Sequence, residues 1–283
     1  MNTAASYRYC HQLTRRAAKN FYPSFLALPR GQRRGMEALY AYLRLTDDLA
    51  DEPGDPGEKR AALVSWREQL HAAAVGGPFA HPAHPALADT IRQWGLPIRY
   101  LELVIDGVES DLRAVRLHTF DELYAYCYRV ASAVGLACIH IWGFRDPAAL
   151  KFAEAAGVAC QLTNILRDLG EDRANGRVFL PAAEWTVWGC PPDEWAAGNE
   201  KFRAFFRFQV DRARGYFMEG RRLGPLLTPA GRAVFSAIIG TYGDLLEEIA
   251  RRDGNVFADR VRVPKWRKMT RLAAAFPRRW GWA

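Results

Sequence analysis

Apolar residues recur three and four positions apart along most of this chain, the spacing that lines one face of a helix. Met36, Leu39, Tyr40 and Leu43 show it within a stretch running over 31–51. The same spacing predicts helices over 5–20, from the Pro/Gly/Asp cluster at 52–59 to about Ala74, and over 85–95, 98–114, 119–143, 147–172, 193–222, 230–252 and 264–276. Punctuation agrees: Pro23, Pro29 and Gly31 separate the first two helices, and VGGPFAHPAHP at 75–85 reads as a loop. No run of alternating β-branched residues argues for a sheet, and no fixed-period repeat or low-complexity linker interrupts the chain. The expectation is one all-α domain over 1–283, about eight to ten helices each burying one stripe.

Composition narrows the class. With 49% hydrophobic and 25% charged residues over 283 positions, the chain is ordinary globular material. The longest apolar run, Ala133 to Phe144, is broken by His140 and falls short of the ~20 residues of a membrane span. MNTAASYRYCHQLTRR lacks the apolar centre of a secretory signal, and five cysteines without a CxxC pair fit a reducing cytoplasm better than zinc or disulfides. The net charge of +8 is local: residues 250–283 carry ten basic and two acidic side chains, and the preceding residues balance. In 264–276, Trp266, Met269, Ala273 and Phe276 share a helical stripe with Lys265, Lys268 and Arg271 beside or opposite, and Trp280 and Trp282 follow. Such a tail either packs its stripe on the bundle or lies in the interface of an anionic membrane. Because the charge belongs to one tail, nucleic-acid binding is not expected.

Two acidic clusters carry the chemistry. In Arg44-Leu-Thr-Asp47-Asp48-Leu-Ala-Asp51, a helix puts Asp47 and Asp51 on one face, one turn apart. Gln161-Leu-Thr-Asn164-Ile-Leu-Arg167-Asp168-Leu-Gly-Glu171-Asp172 repeats that spacing with Asp168 and Asp172, and Asn164 lies one turn earlier. Like charges so placed destabilise a bare helix, so a divalent cation is the natural compensation. Oxygen ligands without nearby His or Cys suit Mg²⁺, two or three ions of which could sit around a diphosphate with Arg44 and Arg167 contacting the same anion. One DxxxD alone is usually a solvated face; two, each with an adjoining Arg and an apolar flank, point to function. Asp48, one residue off that face, points elsewhere.

At these residues the chain resembles the squalene/phytoene synthase family of head-to-head prenyl diphosphate synthases. AKNFYPSFLALP (18–29), ALYAYLRLTDDLAD (38–51), YCYRVASAVG (126–135), QLTNILRDLGEDRANGRVFLP (161–181), TYGDLLEEI (241–249) and RVRVPKWRK (260–268) resemble its segments in order. The resemblance implies a single-domain isoprenoid-synthase bundle with a central cavity. Asp47, Asp51, Asp168 and Asp172 would be Mg²⁺ ligands and Tyr128, Tyr242, Arg44 and Arg167 catalytic. Lys19, Asn20, Phe21, Tyr22, Gln161, Asn164 and Arg177 would join Arg44 and Arg167 in binding substrate. Many members carry Ser where this chain has Asn20, and the C-terminal membrane anchor of eukaryotic squalene synthases is missing, which points to a bacterial-type enzyme in the cytoplasm or against the inner membrane face.

Loss of diphosphate leaves an allylic cation that needs a dry cavity with aromatic walls; Phe21, Tyr22, Phe25, Tyr40, Tyr128 and Tyr242 are the candidates. The first expectation is condensation of two farnesyl diphosphates to presqualene diphosphate and on to squalene or hydroxysqualene. The second is condensation of two geranylgeranyl diphosphates to phytoene. A third, a non-catalytic assembly factor, predicts loss of motif carboxylates, and all four are present. Squalene formation consumes NADPH; no GxGxxG follows a strand here, but members that use NADPH lack it too. Oligomeric state is not indicated.

Overall fold

The computed structural model describes residues 2–19, 21–112 and 115–280; Asn20 and Trp282, both singled out above, lie outside them. In chain order the helices are α1 (Thr3–Ala17), α2 (Tyr22–Phe25), α3 (Arg30–Asp51), α4 (Pro56–Ala74), α5 (His84–Trp94), α6 (Arg99–Ser110), α7 (Phe120–Cys127), α8 (Ala133–Trp142), α9 (Ala149–Ala174), α10 (Ala182–Val187), α11 (Glu200–Arg221), α12 (Pro229–Arg252) and α13 (Lys265–Ala275). Among the described residues there is no strand, only the isolated bridges Arg116–Val178 and Phe144–Leu227. The all-α expectation holds, with differences where local chemistry intervenes. The helix expected from residue 193 starts at Glu200, because Pro192–Glu194 form a short 3₁₀ turn behind the extended Pro191 and the Asn199 side chain accepts from the Phe202 N–H. The helix expected over 119–143 opens with a Thr119–Glu122 capping box and is interrupted by a π-helical turn, Tyr128–Ser132.

α9 is the central element, packed along α11 on one side and on the π turn and α8 on the other. Close approach needs small residues at the crossings. A Cβ on Gly157 would stand 2.4 Å from Ser132 Cα, and one on Gly220 would stand 2.8 Å from Ala156 Cα. Phe202, Phe205 and Phe206 of α11 are fully buried in the core, each contributing about 2 kcal/mol by removal from water.

A smaller packed nest lies where α3, α4 and α5 meet. Trp66 stacks on Tyr42 with centroids 5.3 Å apart, donates to Thr46 Oγ1 at 2.9 Å, and has the His84 ring 4.9 Å away. His84 is fully buried; the His81 N–H donates to its Nδ1 at 3.2 Å, and its Nε2 has no partner among the described residues. Burial, then His81, pushes His84 down to about 4.

α13 lies along α12, and its roll overturns one expectation. The Arg271 guanidinium is paired with Asp244 (Nε to Oδ2, 2.8 Å), its Cδ lies 3.0 Å from where a Gly240 Cβ would be, and Ala275 is buried. Trp266 and Met269 are therefore not packed on the bundle; each is 63% exposed. An arginine with a carboxylate in reach holds the inner side more firmly than the apolar stripe could. No helix among the described residues is long and apolar enough to cross a membrane.

Candidate active site

Three helices present the same ladder to one cavity of about 400 Å³. On α3 its rungs are Met36, Leu39, Tyr40, Leu43, Arg44 and Asp47; on α9 they are Ala153, Ala156, Gly157, Cys160, Gln161 and Asn164; on α12 they are Phe235, Ile238, Ile239 and Tyr242. Each follows the three-and-four spacing that keeps side chains on one helix face. Polarity rises toward the C-terminal rungs of all three. The rise from Met36 to Asp47 is about 16 Å at 1.5 Å per residue, so a deep apolar channel opens at a polar rim. Trp142 and Leu223 also line the apolar part, and Phe21 and Phe25 complete the wall, Phe21 stacking on Tyr242 with centroids 6.3 Å apart and planes 9° from parallel.

The rim holds the expected acids, unequally neutralised. Asp47 lines the cavity at its solvent-exposed mouth; the protein packed around that mouth, and then Asp51, push its carboxyl up to about 7 against the pull of Arg44. Arg44 itself is hydrogen-bonded to Asp48, which does not line the cavity. Asp168 is held by two guanidiniums: Arg167 Nε lies 2.8 Å from Oδ1, and Arg260 approaches both oxygens at 3.0 and 3.2 Å. Arg177 lies 3.1 Å from Asp172, whose carboxyl burial nonetheless pushes up. Tyr242 is pushed up to about 12, chiefly by burial, with Asn164 and Arg167 pulling the other way. Asn164 donates to Gln161 Oε1 at 3.2 Å, while its own Oδ1 is buried without a partner among the described residues.

Two participants were missed from the sequence. Asp111, just past the end of α6, feels the charges of both Asp51 and Asp172, which places it between the two motifs. Burial first, then those neighbours, push it up to about 6, while Tyr126 Oη donates to it at 3.2 Å. Arg260 arrives from the segment after α12, with neighbouring Phe257 wedged against Gly170 (3.3 Å from its added Cβ) and under the Arg173 guanidinium (4.8 Å). Only the tyrosine run YCY hinted at the first, and the basic segment 260–268 at the second.

Other expected residues stand elsewhere. Tyr128 is not on the cavity wall; its hydroxyl lies in the field of Glu154, Tyr100 and Arg99. In an α-helix it would share a face with Ala131, which does line the cavity, but the π turn starting at Tyr128 has more residues per turn and rotates it away. Tyr22 also turns off the wall, edge-on to His11 at 6.0 Å and Phe25 at 6.4 Å. Lys19 sits in an exposed turn after α1, outside the cavity lining. Arg44, Arg167 and Arg177 are at the rim but paired with carboxylates.

The donor set fits a hard cation. Among the described residues the candidate ligands at the rim are carboxylates and amides, oxygen donors rather than thiols or imidazoles. That arrangement suits Mg²⁺, which takes one or two carboxylates and completes its shell with water and phosphate oxygens. The raised carboxyls of Asp47 and Asp111 are those a cation would relieve.

The family model described as squalene/phytoene synthase matches residues 14–267. The chain belongs to the squalene/phytoene synthase family. Its members are head-to-head synthases of the prenyltransferase type. The chain is 36% identical over 287 residues to 15-cis-phytoene synthase of Synechococcus elongatus, covering 96% of this chain and 93% of that one. Among solved structures it is similar to a dehydrosqualene synthase in complex with ligand (25% identity, TM-score 0.88, 99% and 98% of the two chains). It is also similar to squalene synthase HpnC from Alicyclobacillus acidocaldarius (30% identity, TM-score 0.82, 89% and 95%).

Proposed function

We propose that this protein joins two geranylgeranyl diphosphates head to head into phytoene, through a cyclopropyl diphosphate. The observation that carries this reading is the end-to-end similarity to a phytoene synthase, 36% over 96% of the chain. It reverses the order of the two sequence expectations, which put farnesyl diphosphate first. In balance, two diphosphates and two protons leave for each phytoene, and no reductant is consumed, so NADPH has no part.

Asp47, Asp51, Asp168 and Asp172 would hold Mg²⁺, which when bound supplies Lewis acidity to the diphosphate oxygens. Arg44, Arg167, Arg177 and Arg260 stand within reach of the same rim and exchange carboxylate for diphosphate as the substrate enters. The prenyl chains run down the channel toward Trp142 and Phe235, away from water. Phe21, Tyr40 and Tyr242 present aromatic faces to the allylic cation without offering it a nucleophile at neutral pH, since Tyr242 keeps its proton up to about 12. The departing diphosphate is the nearest strong base and takes up the protons that the coupling releases.

A C15 reading has its own support in the likeness to a dehydrosqualene synthase and a squalene synthase. Incubation with Mg²⁺ and either geranylgeranyl or farnesyl diphosphate, with and without NADPH, separates the two by product identification. Phytoene from the C20 substrate without NADPH is expected. Turnover of farnesyl diphosphate alone would overturn the C20 assignment, and no turnover of either by folded protein would overturn the enzyme.

A further inference from the structure

The roll of α13 sorts its side chains into two opposite faces. At 100° per residue, Arg271 and Ala275 lie within 40° of each other, and both point to α12. Trp266, Met269 and Ala273 fall about 160–220° away from Arg271, squarely outward. Trp266 and Met269 are each 63% exposed, whereas Trp66, Trp142 and Trp195 are buried. Around them the charge is one-signed: Arg262 and Lys265 are exposed, and the Arg267 guanidinium lies 5.3 Å from the Trp266 ring centroid.

We propose that α13 docks the protein onto an anionic membrane surface, with Trp266 and Met269 entering the interfacial layer and Arg262, Lys265 and Arg267 meeting lipid phosphates. The amphipathic pattern is the one that lies flat in an interface: a short apolar stripe led by Trp, flanked by cations and free of acids from Val261 to Ala275. Charge complementarity selects this occupant over a second copy of the chain. A two-fold contact through this face would set Arg262, Lys265 and Arg267 against their own images, and like-charge juxtaposition costs association. The apolar centre of the patch likewise does not match a nucleic-acid backbone, which is read by cations alone.

Docking would also orient the site. Lys268, toward the inner side of the same helix, lies in the fields of Arg167 and Arg262, so the N-terminal end of α13 stands beside the cavity rim. The bilayer would lie next to the opening of the apolar channel. This inference holds whichever prenyl chain the cavity takes.

The test is flotation of full-length protein with vesicles of phosphatidylcholine alone or mixed with phosphatidylglycerol. Wild type is expected to float with the mixed vesicles and not with the neutral ones, and added salt should weaken binding. W266S/M269S and, separately, R262E/K265E should each reduce binding about tenfold at an unchanged melting temperature. The proposal is overturned if wild type stays with the unbound fraction, or if W266S/M269S floats as well as wild type. A dimer in sedimentation that W266S/M269S abolishes, without vesicle binding, would assign the face to a second copy and overturn the membrane assignment as well.

Discussion

His84 offers a quantitative check on how this bundle is held together. Its ring is fully buried against Trp66, and its Nε2–H has no acceptor among the described residues. Burial and the neighbouring His81 push its pKa from 6.5 down to about 4. The sign follows from proton counting: below pH 6.5 the unfolded chain takes a proton that the native state refuses until about pH 4, so stability falls as pH falls through that window. At pH 4.5 this one group destabilises the native state by about 2.5 kcal/mol relative to pH 7.5, at 1.36 kcal/mol per pKa unit. His84→Gln keeps an acceptor for the His81 N–H while removing the titration. The variant loses some packing at both pH values, so the informative quantity is the difference between pH 7.5 and 4.5 in urea unfolding. That difference should shrink by about 2.5 kcal/mol in the variant compared with wild type. An unchanged difference would show that the nest opens or hydrates, and the buried-histidine account would fail.

Further outcomes concern the site. Asp47→Asn and Asp168→Asn should each lower kcat at least about a thousandfold in the prenyl-diphosphate assay, with far-ultraviolet circular dichroism unchanged. Asp47→Asn should in addition not lower the melting temperature in chelator, because it removes a carboxylate that burial and Asp51 already hold at a raised pKa. Tyr126→Phe should cut activity about tenfold or more by releasing Asp111, whereas Tyr128→Phe, off the wall, should stay within about twofold; the reverse ranking would contradict the π-turn geometry. Ala153→Phe narrows the deep rungs of the channel and should move selectivity toward the shorter diphosphate by about tenfold in kcat/KM, read by competing C15 and C20 substrates.

What was legible in the sequence was whatever one helix decides alone. The rungs Tyr40, Leu43, Arg44 and Asp47, and Gln161 and Asn164 after them, follow from spacing, and the structure puts them on one cavity. Asp111 was invisible because a single aspartate after a helix carries no periodic signal; its meaning comes from Asp51 and Asp172, which only the tertiary fold brings near. Arg260 reaches Asp168 across 92 residues of chain. Tyr128 followed from the resemblance alone, and the π turn that begins at it takes it off the cavity wall. The tail shows the same limit: its stripe was readable, but whether it faced in or out depended on Asp244 meeting Arg271.

The pairing of arginines with acids at the rim has a thermodynamic corollary. With Arg44 on Asp48, Arg167 and Arg260 on Asp168, and Arg177 on Asp172, the arginines of the rim are already matched to carboxylates, while Asp47, Asp51 and Asp111 face it without a salt bridge among the described residues. A divalent cation arriving alone at Asp168 or Asp172 must displace guanidiniums, and a diphosphate arriving alone must strip them from carboxylates; each leaves unmatched charge behind. Arriving together, the cation takes the carboxylates and the diphosphate takes the guanidiniums released from them. Cation and anion should therefore act as heterotropic effectors of one another, each tightening the other by the same factor, and neither should bind well by itself.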